Sequence, residues 1–261
     1  MNAAEEEEHL PPSIGGLIGF ALIGWAANAP LYSGLAAAMF AVTAVAEFVV
    51  PAAVMTTQLG QFKLYVLLYT ELFAGSFVIA AVALGVAARG LGTPLSSGTI
   101  AGGATERWLP VIAVTFLSQT VILVTGPLSG LNAPAELGAA AYVAAPLVWI
   151  LWGILGLTGP FVALARTRAA LTVLVGFGNA FTAALRRGNL SRLCILAVIA
   201  VLPLLLETVL EHALEQRHVA RAFFWANIPI DALVIGPVAA IQTAFALDFV
   251  RRASQTTPPR A

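Results

Sequence analysis

The 261-residue chain has a formal net charge of zero, and 59% of its residues are hydrophobic whereas only 10% are charged. A soluble domain usually carries about 25% charged residues, so this composition excludes an ordinary water-soluble protein. The balanced charge gives no reason to expect nucleic acid as a partner, and one cysteine, Cys194, cannot form an intrachain disulfide. We expect a single integral membrane domain over residues 1–261, with an acidic tail at 1–12 and a flexible tail at 253–261.

Six apolar stretches are long enough to cross a bilayer, which requires about 20 residues in a helix. In chain order they lie near residues 33–56, 64–88, 109–129, 138–165, 191–213 and 223–250. The alternating pattern of a membrane β-barrel is absent, and within hydrocarbon a helix satisfies its own backbone groups. The sequence therefore predicts an all-α, polytopic bundle of about six spans.

Three shorter segments precede spans and are predicted to be amphipathic helices at the membrane interface, at residues 14–28, 96–108 and 171–187. The first of them is also compatible with a short span. Pro30, Pro110 and Gly188 follow these segments at intervals of 80 and 78 residues and are expected to break the helices. This spacing predicts three pseudo-repeats of about 80 residues, each with an interfacial helix and two spans.

Basic residues are distributed unequally over the two sides of the predicted bundle. The connections at 89–108 and 166–192 and the C-terminal tail hold ten arginines, whereas the opposite connections hold only Lys63, Arg217 and Arg221. Positively charged loops remain in the cytoplasm, so both termini are predicted to be cytoplasmic, in a bacterial inner membrane.

Among the acidic residues inside the predicted spans, four need a particular explanation: Glu47, Glu71, Glu207 and Asp231. A carboxylate in a transmembrane helix is costly and is often functional, which makes these four candidates for a proton, cation or ligand site. The alternative is structural, with each acid protonated or bonded to a hydroxyl or amide such as Gln119 or Gln242.

A second group of candidates is basic and is predicted to contact anionic lipid head groups on the cytoplasmic side. It comprises Arg166, Arg168, Arg186, Arg187 and Arg192. The alternative is that these residues are the topology signal itself, which requires no ligand.

Signatures of enzymes are missing from the sequence. It contains no phosphate-binding glycine loop with a lysine, no HExxH pair and no nucleophile elbow. Glu207 and Glu211 share a helix face near His212, and we interpret this group as a solvated helix end rather than a metal site. We expect no catalytic activity, no metal and no cofactor.

Several segments resemble the six-helix membrane domain found fused to some bacterial glycerophosphoryl diester phosphodiesterases and in related bacterial membrane proteins. The resemblance lies in Gly92–Leu95 leading to Arg107–Pro110, in Ala180–Arg192, and in the tail Phe249–Arg252. It implies a six-helix fold in the inner membrane, without the phosphodiesterase domain.

Two functions follow as hypotheses from these observations. The first is a non-enzymatic membrane scaffold or a module for handling lipids or small solutes, with membrane lipids and other membrane proteins as partners. The second is a secondary transporter or channel that uses the four acids as a proton or cation path.

Overall fold

The computed structural model describes residues 10–49, 58–130, 137–165, 171–186, 188–215 and 220–255, and at some of these positions, including 47, 71, 207 and 231, only the backbone. Within these ranges the chain forms eight α-helices and no strand. In chain order the helices are α1 (Ile14–Ala26), α2 (Ala29–Val49), α3 (Gln58–Gly90), α4 (Ser97–Thr125), α5 (Gly138–Leu164), α6 (Leu171–Ala184), α7 (Leu190–Glu215) and α8 (Ala220–Gln255). The all-α prediction is confirmed.

Helix boundaries follow from local chemistry at several ends. Ser13 and Ser96 cap α1 and α4, each accepting a hydrogen bond from the backbone N–H three residues later. Pro30 lies in the first turn of α2, where a missing N–H is harmless. Gly188, between α6 and α7, has a φ of +90°, which residues with a side chain rarely adopt.

Four helical segments in the described part of the chain are long and apolar enough to span a membrane. They are Leu72–Gly90, Ser97–Leu128, Gly138–Leu164 and Leu233–Ala253. Helix α1 and the first part of α2, which bend by 71° at their junction, form a fifth if they are taken as one broken span. The six spans and the three repeats stay predictions.

The break expected at Pro110 is wrong, because α4 runs without interruption from Ser97 to Thr125. In the segment predicted to lie in the interface, Ile100 and Ala104 are fully buried, whereas most of the other side chains of residues 96–108 are exposed or half-buried. The Arg107 guanidinium donates to the carbonyls of Ala163 and Ala165 at the end of α5. This half of α4 is therefore held by protein contacts, and neighbouring helices commonly compensate a proline inside a membrane helix.

Helix α3 forms the centre of the larger core, in contact with α2, α4, α5 and α8. Small side chains dominate its buried face, including Ala80, Ala81 and Ala83. Small residues let membrane helices approach closely, so α3 can pack tightly against its neighbours.

The structure describes the first residues of the predicted C-terminal tail and the last residues of the predicted N-terminal tail. Helix α8 continues to Gln255, past the predicted boundary at residue 253. At the other end, residues 10–12 are held by arginines of α7 and α8, as described below.

Candidate functional site

A cavity of about 280 Å³ lies between α3, α4, α5, α7 and α8. Aliphatic side chains such as Ile79, Ile122 and Leu155 form most of its wall. Five polar side chains interrupt this apolar lining: Thr115, Ser118, Gln119, Thr158 and Gln242. No charged residue of the described chain lines it.

The polar groups lie near the middle of the predicted membrane. Ser118 follows Arg107 by 11 residues along α4, which is roughly 16 Å at 1.5 Å per residue. Gln242 precedes Arg251 by nine residues along α8, roughly 13 Å. Because the hydrocarbon core is about 30 Å thick, both distances reach about its centre.

Gln242 is the most informative residue of the cavity. Only 9% of it is exposed, and its carboxamide makes no hydrogen bond within the described residues. Gly156 on α5 creates the space for it, since a Cβ at that position would lie 2.3 Å from Nε2 of Gln242. The carboxamide therefore has four hydrogen-bonding positions that no described residue uses, and its polar atoms are accessible from the cavity.

The hydroxyl groups of Ser118 and Thr158 form a second polar feature of the cavity lining. Thr158 donates its hydroxyl proton to the carbonyl of Leu155 at 2.6 Å, and its oxygen lies 3.0 Å from Oγ of Ser118. Ser118 is therefore the donor in that second contact, because the proton of Thr158 is already used. Lone pairs on Oγ of Ser118 remain available to accept a hydrogen bond.

Helix α5 forms one wall of the cavity, and three neighbouring helices pack closely against its glycines. A Cβ at Gly153 would lie 2.8 Å from the backbone nitrogen of Ala197 on α7. One at Gly159 would lie 3.0 Å from the side chain of Ile79 on α3. With Gly156 facing α8, this one helix contacts three others through glycine.

Along the described residues, packing between α4 and α7 does not close the cavity. Helix α4 packs extensively on α3 and α5, but not on α7 or α8 along the described residues. Gln119 lines the cavity and is exposed, so it lies at the rim. Leu117 and Leu123 on α4 and Leu202 on α7 are exposed apolar residues, as expected of surfaces that face lipid.

The four predicted acidic residues lie on α2, α3, α7 and α8, and their side chains are outside the described part of the structure. Their backbone positions relate two of them to the cavity. Position 207 follows the cavity residue Pro203 by one turn of α7, and position 231 precedes the cavity residue Ile235 by one turn of α8. Position 71 precedes Ile79 by about two turns of α3.

Of the five predicted basic residues, the structure describes Arg186 and Arg192. Positions 166, 168 and 187 lie outside the described residues. Arg186 is exposed and donates to the carbonyl of Ala253 at 3.2 Å. Arg192 is buried, and its Nε lies 2.7 Å from Oδ2 of Asp248, so its charge is already paired within the protein.

Asp248, which sequence analysis did not single out, is fully buried near the end of α8. It accepts hydrogen bonds from Arg192, Arg251 and Arg252, the last at 2.9 Å. Arg192 also donates to the carbonyl of Pro12 at 3.0 Å, and Arg251 to those of Leu10 and Pro11. The available signal was the spacing of Asp248 three and four residues before two arginines.

No group of three or more potential metal ligands occurs in the described part of the chain. No family model, curated protein or solved structure matches the sequence or its fold. The site is therefore interpreted from its own chemistry.

Proposed function

We propose that this chain is a multi-pass protein of the bacterial inner membrane that binds small membrane-soluble molecules without chemically converting them. One observation carries the proposal: the carboxamide of Gln242, a residue that is only 9% exposed, has no partner among the described residues and lines a 280 Å³ cavity. Of the roles expected from the sequence, lipid or small-solute handling accounts for this observation best.

A purely structural scaffold explains the cavity less well. Protein interiors are close-packed, and an internal space loses contacts on all its walls. A hydrogen bond to the carboxamide of Gln242 would contribute about 0.5–1.5 kcal/mol. A ligand that fills the space and bonds to Gln242 therefore recovers the lost contacts and adds this hydrogen bond.

The membrane setting of the proposal includes six crossings with both termini in the cytoplasm. Support comes from the six apolar stretches of the sequence and from the side on which arginines accumulate. The resemblance to the membrane domain of phosphodiesterases belongs to the same proposal. In this setting Arg166, Arg168, Arg186 and Arg187 face anionic lipid head groups.

Filling the cavity tests the function directly. Ala200→Phe places a ring in the cavity wall on α7, and Ala113→Phe makes the same change at an exposed position of α4 outside the cavity. After purification in mild detergent, organic extracts analysed by mass spectrometry should contain a small molecule with the wild type and Ala113→Phe. Ala200→Phe should have lost it.

Equal extracts from both phenylalanine variants would contradict a binding role for the cavity. Melting temperatures measured in the same detergent serve as the folding control. A variant that has unfolded is replaced by Ala200→Leu, which fills less of the space.

A secondary transporter is the second candidate, and the helical positions of two acids favour it. Positions 207 and 231 each lie one turn from a residue that lines the cavity. Such carboxylates would couple solute binding to a proton or cation. Proteoliposomes that contain the wild-type protein should then show proton flux, and replacing Glu47, Glu71, Glu207 and Asp231 by their amides should abolish it; unchanged flux excludes this candidate.

A further inference from the structure

We infer that the cavity binds a neutral amphiphile, a molecule with a hydroxyl or amide head and a short hydrocarbon part, which enters from the bilayer. The inference rests on the proposed function and specifies the class of ligand. Charge, hydrogen-bonding capacity, size and access each contribute an argument.

Charge favours a neutral ligand over an ion. The described lining contains no Asp, Glu, Lys, Arg or His, so an ion would have no opposite charge to pair with among these residues. An unpaired ion in an apolar environment is far more costly than a neutral polar group. The described lining therefore fits a ligand that is uncharged when bound.

Hydrogen-bonding capacity excludes plain hydrocarbons. The carboxamide of Gln242 offers both donors and an acceptor, and Oγ of Ser118 offers an acceptor. A hydroxyl or amide head matches these groups because it both donates and accepts. An alkane would form no hydrogen bond with the carboxamide, which would remain without a partner as it does in an empty cavity.

Size limits how much of the ligand is enclosed. The cavity volume of 280 Å³ corresponds to roughly nine water molecules at about 30 Å³ each. This is sufficient for a polar head and a few methylene groups. A longer tail would have to extend between α4 and α7, where packing along the described residues does not close the cavity.

Access from the bilayer follows from the position of that side of the cavity. It lies beside Gln119, roughly 18 Å along α4 from Arg107, and therefore at the depth of the lipid acyl chains. Exposed apolar residues on both flanking helices, including Phe116 and Leu202, fit contact with hydrocarbon. A membrane-dissolved molecule reaches the cavity here without crossing the head-group layer.

Trp152 supplies a fluorescent reporter, because its buried indole lines the cavity and donates to Oγ1 of Thr125 at 2.9 Å. Bromine quenches tryptophan on contact. Three probes of equal chain length differ only in the head: bromohexanol is neutral, bromohexanoate is anionic at neutral pH, and bromohexane has no polar head. Each is titrated into proteoliposomes at matched concentration in the bilayer.

Bromohexanol should quench saturably, and the saturable component should be absent from Trp152→Phe. Bromohexane and bromohexanoate should bind at least about tenfold more weakly, as expected when a hydrogen bond is lost or an ion is left unpaired. Gln242→Leu should weaken bromohexanol by about the same factor. Thr120→Val, which removes an exposed hydroxyl bonded within α4, is the matched control and should bind like the wild type.

Different failures point to different errors. Equal binding of all three probes, or unchanged affinity in a folded Gln242→Leu protein, overturns the ligand class but leaves small-molecule binding intact. Absence of saturable quenching by every probe, with acrylamide from the water phase reaching Trp152, identifies a water-filled pocket and overturns both proposals. If the leucine variant aggregates, Gln242→Met keeps the side-chain volume and tests the same hydrogen bond.

Discussion

Asp248 illustrates how one buried carboxylate organises an end of this bundle. It is fully buried and contacts Arg192 on α7 and two arginines of its own helix, of which Arg252 remains partly exposed. An ion pair of this kind is worth little against a well-packed apolar alternative, but losing one partner leaves a charge buried. The residue is therefore expected to be critical for stability because of what surrounds it.

Asp248→Asn should destabilise the protein by about 3–5 kcal/mol, because the charge of Arg192 would remain buried without a counter-charge. The measurement is reversible unfolding in mixed micelles of mild detergent and dodecyl sulfate. Arg252→Gln removes the partly exposed partner and should cost only about 0–1 kcal/mol.

A double substitution distinguishes the contribution of the Asp248–Arg192 ion pair to stability from the effect of losing the Asp248 side chain alone. Asp248→Ala combined with Arg192→Met removes both charges and should be more stable than Asp248→Ala alone. If the double variant is no better than the single one, the pairing seen at 2.7 Å contributes nothing to the loss.

Ser76, in contrast to Asp248, is a buried polar residue whose replacement should not destabilise the protein. It is fully buried in α3, and its Oγ has no hydrogen-bond partner within the described residues. Ser76→Ala should therefore leave stability unchanged or raise it by about 1 kcal/mol. Ser118→Ala, which removes a hydroxyl bonded to Thr158, should lower stability by about 1 kcal/mol in the same unfolding measurement.

At the scale of elements, α5 determines how closely its neighbours approach. Gly153, Gly156 and Gly159 each face a different helix, but the atoms they meet differ in kind. Gly153 meets the backbone of α7, whereas Gly156 meets the flexible end of the Gln242 side chain. The consequences of adding a methyl group should differ accordingly.

Gly153→Ala should destabilise the protein by about 1–3 kcal/mol, because α7 cannot move away without disturbing its other contacts. Gly102→Ala is the matched control: nothing lies within 4 Å of its Cβ, so the substitution should stabilise α4 by about 0.5–1 kcal/mol. Melting temperatures of the two variants should move in opposite directions; a common direction would contradict the close approach of α5 and α7.

The sequence predicted where the helices lie better than it predicted which helices pack against each other. Apolar length located the helical cores of α3, α5 and α8, and Gly188 correctly marked the boundary of α7. Pro110 misled because the contacts that hold α4 together, such as Arg107 with the end of α5, join residues 56 and 58 positions apart.

The cavity was beyond prediction for a similar reason. The sequence shows that Gln119 and Gln242 are amides inside predicted spans, but it indicates only that they could bond to the acidic residues. Their approach to Ser118 and Thr158 depends on which helices are adjacent, and hydropathy carries no information on that. Asp248 was overlooked because it lies inside a predicted span next to arginines that had been assigned to topology.

For the whole molecule, the distribution of arginines makes a prediction about orientation. Thr93→Cys and Asn132→Cys, each in a Cys194→Ser background, introduce a thiol before α4 and after it. A membrane-impermeant maleimide added to intact cells should label only Asn132→Cys, and in inverted vesicles it should label only Thr93→Cys. Labelling of both from one side would mean that α4 does not cross the membrane.

The contacts of residues 10–12 have a consequence for assembly of the whole chain. Arg192 and Arg251 hold carbonyls that precede them by 180 and 240 positions. Residues 10–12 are synthesised long before those two arginines, so α1 forms without the partners that finally hold its start. Closure of this end is thus a late step in folding, because it requires α7 and α8 to be complete.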